Sequence, residues 1–116
     1  MSLNYHEFEL EASRTETGNA SGGDVDSFEP RFPATGGCRF YLDVTAASVS
    51  DTLDVDIIGV VNGKRVVIGS FPQQVAVGTV SIFIEECPKI LSSDWTIGGA
   101  SPSFTFNIQA HRSQKA

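Results

Sequence analysis

Apolar and polar residues alternate with a period of two along most of the chain, the pattern of half-buried β-strands. The stretch from 40 to 71, FYLDVTAASVSDTLDVDIIGVVNGKRVVIGSF, predicts three strands. Between its second and third runs stands Asn62-Gly63. These two residues tolerate positive φ, so between β-branched runs they specify a two-residue type I′ turn. Such a turn fixes the register, because partner numbers across it keep a constant sum. Val61 is expected opposite Lys64, Val60 opposite Arg65, Ile58 opposite Val67 and Ile57 opposite Ile68. Val55, Ile57, Val66 and Ile68 then share one face. The other face begins acidic at Asp54 and Asp56 and turns apolar at Ile58, Val60 and Val67, which predicts a covered end or a second partner surface.

The same alternation extends to both sides. In YHEFELEA (5–12), Phe8, Leu10 and Ala12 point one way and Glu7, Glu9 and Glu11 the other, giving a strand with an acidic outer face. Residues 13–37 are rich in Gly, Ser, Thr and Pro, with Val25, Phe28 and Phe32 as apolar anchors. They read as a long connection holding one short strand near 23–28. Cys38, Phe40, Leu42 and Val44 form one face of the next strand. Val80, Ile82 and Ile84 do so in a strand from about 75 to 85, with Phe83 on its other face. Residues 86–93, ECPKILSS, are compatible with a helical turn or a loop. The final pair is DWTI (94–97), a Gly-Gly-Ala-Ser-Pro turn, and SFTFNIQAH (103–111), read as a hairpin whose second strand faces inward at Phe104, Phe106, Ile108 and Ala110.

Seven to eight short strands with intervening Gly, Pro, Asn and Ser turns predict an all-β fold, an antiparallel β-sandwich or jelly-roll-like barrel. Residues 1–36 are expected to form an N-terminal strand and an extended arm or crossover, and residues 37–116 the sandwich core of a single domain. A chain of 116 residues with 41% hydrophobic content fits one core.

Charge and side-chain chemistry narrow the functions. The net charge of −6 and only eight scattered Lys and Arg argue against nucleic acid as a partner. No apolar run reaches the length of a membrane span, and the first residues carry no export-signal pattern, so a soluble protein without a membrane partner is expected. Cys38 and Cys87 lack a CxxC or Cys/His pattern, which predicts two reduced thiols, with a disulfide as the alternative. His6 and His111 stand near opposite ends of the chain with no nucleophile motif beside them, so no catalytic residue is named. Asp24 and Asp26, or Asp54 and Asp56, match no calcium-loop pattern, and no metal or cofactor is expected. Trp95, Tyr41 and Tyr5 raise a saccharide-binding reading, although a lone Trp in an alternating strand is usually core.

The strings SRTETG (13–18), FYLDVTAAS (40–48), TLDVDIIG (52–59), IGSF (68–71), AVGT (76–79) and WTIGGASPSFTFNIQAH (95–111) together resemble a family of small structural proteins encoded by tailed bacteriophages. The likeness runs in order from about residue 8 to residue 112. It departs at Val49-Ser50-Asp51, where the family is richer in Gly and Pro, and fits loosely over 19–36. The resemblance implies a virion component made in the host cytoplasm, with no catalytic residues to carry over. For proteins of this size it implies capsid decoration, that is, clamping the exterior of the major capsid protein shell as a homo-oligomer, often a trimer. A head-to-tail connector, neck or tail protein is the alternative, and a glycan-binding module on the virion surface is a third. The expected partner-binding residues are Tyr5, Phe8, Leu10, Phe28 and Phe32 on the N-terminal strand and arm, and Ile58, Val60 and Val67 on the hairpin.

Overall fold

The computed structural model describes residues 4–27 and 37–114, with side chains from 7 to 27 and 37 to 112. Nine strands follow one another among them: β1 (Asn4–Glu16), β2 (Ala20–Ser21), β3 (Val25–Asp26), β4 (Cys38–Ala47), β5 (Thr52–Val61), β6 (Lys64–Ser70), β7 (Gly78–Ile84), β8 (Ile90–Gly98) and β9 (Phe104–Gln114). They form two antiparallel sheets packed as a sandwich. The first sheet has the order β1-β9-β4-β7, and the second β2-β8-β5-β6 with β3 also paired to β8.

Side-chain alternation explains the core. Phe40, Leu42 and Val44 of β4 and Phe104, Phe106, Ile108 and Ala110 of β9 are fully buried on the inner face of the first sheet. They meet Leu53, Val55 and Ile57 of β5 and Leu91, Trp95 and Ile97 of β8. Each such side chain contributes on the order of 1.5–3 kcal/mol of transfer free energy. Phe71, after β6, joins the same cluster.

Asn62 and Gly63 take φ of 53° and 76°, the two positive values that a type I′ turn requires. The ladder from that turn keeps Val61 opposite Lys64, Val60 opposite Arg65 and Ile58 opposite Val67. It then departs from the expected register, because a bulge places Ile57 opposite Gly69 rather than Ile68. The extra residue sends Ile68 toward the core cluster, while Val66, expected beside Ile57, stays exposed.

β1 carries two irregularities of the same kind, between Glu9 and Glu11 and between Glu11 and Arg14. These shift the phase of its alternation. Leu10 is buried, but Ala12 is exposed, and Glu11 and Arg14 turn toward β8 as a pair 2.6 Å apart. Two further expectations are corrected. Residues 90–93 belong to β8 and are neither loop nor helical turn. And β8 and β9 are not a hairpin: they lie in different sheets, so 99–103 is a crossover from one layer to the other. The corner is tied down by Ser48, whose Oγ accepts from the Ser103 amide at 2.8 Å and donates to the buried Asp51 carboxylate.

Candidate assembly surface

Pairing every strand leaves two unpartnered edges on one side of the sandwich. Among the described residues β6 bonds only to β5, and β7 only to β4. The two edges approach each other at Gly69, where an added Cβ would lie 2.7 Å from Ile84 Cδ1 and 3.2 Å from Ile82 Cδ1. Apolar side chains recur along this side. Val67 is 55% exposed and Val66 49%, Val75 and Val77 project from the connection to β7, and Phe83 stands half-exposed on β7.

A free edge strand presents unpaired N–H and C=O groups, and folded monomers ordinarily blunt it with charge, proline or a cover. The charges here are confined to the start of β6. Lys64 opens the strand, and Arg65 is drawn across the sheet toward Asp94, with Asp24 at 3.4 Å and Ser92 Oγ at 3.2 Å. Arg39 lies 5.3 Å from the Phe83 ring centroid. Among the described residues nothing gives the centre of the β6 edge, Val66-Val67, such protection.

The residues expected to bind a partner separate into three groups. Val67 is exposed on the β6 edge and Val60 is half-buried beside it. Ile58 is only 2% exposed, because it sits on β5 between β6 and β8 with Val67 and Ser92 as ladder neighbours. Leu10 is 3% exposed and Phe8 packs against the core, since β1 is an integral strand bonded along β9. Leu10 and Ile58 are therefore packing residues, a correction to their expected role as a docking surface. Tyr5 pairs with Ser113 in the β1–β9 ladder. Phe28 and Phe32 lie outside the described residues.

The outer face of the first sheet holds a shallow groove of about 320 Å³ lined by Tyr41, Asp43, Thr79, Asn107, Gln109 and His111. The Tyr41 and His111 rings are 5.2 Å apart and tilted. Thr79 Oγ1 donates to Asp43 at 3.0 Å, Gln109 Nε2 donates to Glu9 at 2.9 Å, and His111 lies 3.6 Å from Glu7. Trp95 is not part of any surface. It is 2% exposed, edge-on to Phe106 at 5.4 Å, with the Arg14 guanidinium 4.5 Å above its ring.

The acidic pairs singled out for a cation are each engaged by protein donors. Gln73 Nε2 donates to Asp54 at 3.0 Å and Ser70 Oγ to Asp56 at 2.7 Å, while Lys89 lies 3.3 Å from Asp26. Among the described residues no three His, Cys, Asp or Glu side chains gather as metal ligands would.

One cluster escaped the sequence reading. Cys38, Cys87 and Arg112 meet at the end of the sandwich, where Arg112 Nη2 donates to Ser27 Oγ at 2.8 Å and to the Pro88 carbonyl at 3.2 Å. Burial pulls the Arg112 guanidinium below its ordinary pKa, against the opposing effect of the two sulfurs. The signal was present in the parity of β9: if Phe104 through Ala110 point inward at even numbers, so does Arg112.

Neither the protein-family models nor the curated proteins contain a match to this chain. Solved structures align with this chain over most of its length. The CBM36-1 domain of a multidomain xylanase from the hindgut metagenome of Trinervitermes trinervoides aligns with a TM-score of 0.52 at 10% identity, covering 97% of this chain and 100% of that one. A chain of the disulfide-linked pili of Bacillus endospore appendages aligns at 0.49 and 12% identity, covering 99% and 93%. A chain of infectious bursal disease virus, Gx strain, aligns at 0.47 and 10% identity, covering 98% of this chain but 33% of that one. At 10% identity the likeness to the xylanase domain is one of fold, an antiparallel sandwich of jelly-roll type.

Proposed function

We propose that this chain is a structural protein of a tailed-bacteriophage virion that decorates the exterior of the capsid shell, in contact with the major capsid protein. The observation that carries the reading is the undefended edge of β6, with Val66 and Val67 exposed beside the free edge of β7 and the half-exposed Phe83. Such a side is complete only when another subunit covers it. A neighbouring strand adds to the free N–H and C=O row, and the valines and Phe83 supply apolar contact. The sequence resemblance to phage structural proteins supplies the setting.

In this role the sandwich needs no reactive group. Three copies closing a ring through one heterologous contact each would hold several shell subunits at once, so that weak individual contacts sum to tight attachment. β1 does not serve as a detachable arm in this arrangement, because its backbone is committed to β9. The test is the copy number per purified virion, measured by quantitative mass spectrometry against the major capsid protein. Hundreds of copies, in a ratio set by the capsid lattice, support decoration. About six to twelve copies would transfer the chain to the connector, neck or tail, and absence from the particle would end the reading.

A second reading is favoured by the groove on the first sheet. Tyr41 offers a ring face, and Asn107, Gln109 and Asp43 offer amide and carboxylate groups at the spacing of neighbouring strands, a combination suited to a neutral saccharide. Loss of glycan binding in Tyr41→Ala would support it. Failure of the wild-type chain to bind any glycan of a surface array would remove it.

A further inference from the structure

β4 and β7 run antiparallel, and the last pair of their ladder sets Cys38 opposite Ile84. Three residues beyond Ile84 the chain has turned back on itself, and the Cys87 thiol points at the Ile84 carbonyl, with Sγ 3.7 Å from the oxygen. Cys87 therefore packs against the core cluster that contains Cys38, and the two cysteines converge on Ile84, one as its ladder partner and the other through its thiol. Both are free. The pairing joins two segments far apart in sequence, and the second of them lies on the connection that carries the chain from the first sheet to the second.

The two sulfurs are not equivalent. Cys38 has no exposed surface, whereas Cys87 is half-buried and open on one side. Arg112 stands opposite Cys38 in the β4–β9 ladder, and its Nη2 lies 3.5 Å from the Cys87 carbonyl. The hydrogen bond from Cys38 holds the Cys87 thiol below its ordinary pKa, assisted by the Arg112 charge and opposed by burial. The same hydrogen bond, together with burial, pushes Cys38 up. The accessible sulfur is that of Cys87 and the enclosed one that of Cys38, which is the arrangement of an attacking thiol beside a resolving one.

We propose that Cys38 and Cys87 are a site of oxidative modification, closed to an intramolecular disulfide by exchange with a low-molecular-weight disulfide, RSSR. In the first step the Cys87 thiolate attacks one sulfur of RSSR, forming a mixed Cys87–S–S–R bond and expelling RS⁻. In the second, the Cys38 thiol gives up its proton and its sulfur attacks Cys87 Sγ, forming the Cys38–Cys87 bond and expelling the second RS⁻. The two thiol protons end on the two RS⁻ groups. The protein is oxidised by two electrons and RSSR is reduced to two RSH. The bond staples β4 to the crossover between the sheets, and it fits a chain folded in a reducing compartment and later exposed to an oxidising one. This inference does not depend on the virion reading.

The test uses the full chain, reduced, desalted and incubated with oxidised glutathione, followed by intact-mass and peptide mass spectrometry. The expected product is a monomer lighter by two hydrogen atoms, with one cross-linked peptide joining Cys38 and Cys87. Cys38→Ser is expected to stop at a glutathione adduct on Cys87. In the wild-type chain, before oxidation, iodoacetamide is expected to alkylate Cys87 at least about tenfold faster than Cys38, a readout that needs no substitution. Two free thiols after prolonged exposure to the oxidant would overturn the proposal. So would cross-links found only between chains, or equal alkylation rates for the two cysteines.

Discussion

Replacing Trp95 separates a core residue from a binding platform, and the structure sets the size of the effect. Trp95→Ala removes a fully buried side chain from between β8 and β9, a change that costs roughly 3–5 kcal/mol in transfer and cavity terms. It also removes the edge-to-face contact with Phe106, worth about 0.5–1.5 kcal/mol, and the Arg14 contact, worth about 0.5–2 kcal/mol. One term acts the other way. Among the described residues the buried indole Nε1–H finds no hydrogen-bond acceptor, and deleting it relieves about 1–3 kcal/mol. Packing wins, and the net loss expected for Trp95→Ala is about 4 kcal/mol. Trp95→Phe keeps a ring against Phe106 and loses only the unsatisfied N–H and part of the volume, so its two effects nearly cancel and a change within about 1 kcal/mol is expected. The assay is urea unfolding followed by far-UV circular dichroism, because the chain has a single Trp and the substitutions remove the fluorescent reporter. A loss below about 1 kcal/mol for Trp95→Ala would refute the packing argument. A Phe variant as unstable as the Ala variant would show that the indole N–H makes a bond.

Four further outcomes are expected. Val67→Lys, on the exposed β6 edge, should leave stability within about 0.5 kcal/mol of the parent but abolish self-association in sedimentation velocity and attachment to decoration-free capsids; unchanged association would remove the β6 edge from the interface. Gly99 has φ of 130° and lies against the Asp51 carboxylate, so Gly99→Ala should lose about 2–3 kcal/mol, read as a lowered melting temperature; an unchanged melting temperature would contradict the corner geometry. The alkylation rate of Cys87 should rise with pH through a midpoint below the ordinary thiol value of 9.0, since its thiolate is favoured in the folded state, and Arg112→Met should move that midpoint upward. Closing the Cys38–Cys87 loop should raise the melting temperature by roughly 10 °C, from about 4 kcal/mol of lost chain entropy less native strain, and calorimetry of the oxidised and reduced chains decides it.

What the sequence made legible was local. The inward faces of β4 and β9 follow from strict alternation, and the β5–β6 turn follows from Asn62-Gly63, whose φ values are those the turn chemistry requires. The misreadings arose where one residue changes the phase. Nothing in the string GKRVVIGS marks Ile68 as the bulged position, because Val66, Val67 and Ile68 have equal β-propensity and the choice depends on which one reaches the core. β8 was shortened for a similar reason. Ser92 and Ser93 look like loop residues, yet both are buried, and the Ser92 hydroxyl is accommodated by donating at 3.0 Å to the carbonyl of Gly22, just after β2 and seventy positions earlier.

The candidate site was less legible than the fold, because edges are a property of the sheet order and not of any strand. β6 reads like any other apolar strand, and only the orders β1-β9-β4-β7 and β2-β8-β5-β6 reveal that it and β7 are both terminal and lie on the same side. The Gly-Gly-Ala-Ser-Pro segment before β9 is compatible with a hairpin or a crossover, and taking it as a hairpin would have left β8 covered by β9 and moved the open edge elsewhere. Once the crossover is in place, Val66, Val67 and Phe83 change meaning. They cease to be the outward half of paired strands and become an apolar side with unpaired backbone, a surface that carries a standing aggregation hazard unless a defined neighbour covers it. The terminal strands β1 and β2 lie on the opposite side of the sandwich, so it is the absence of charge at the centre of β6, and not its being terminal, that gives the physical reason to propose an assembly there.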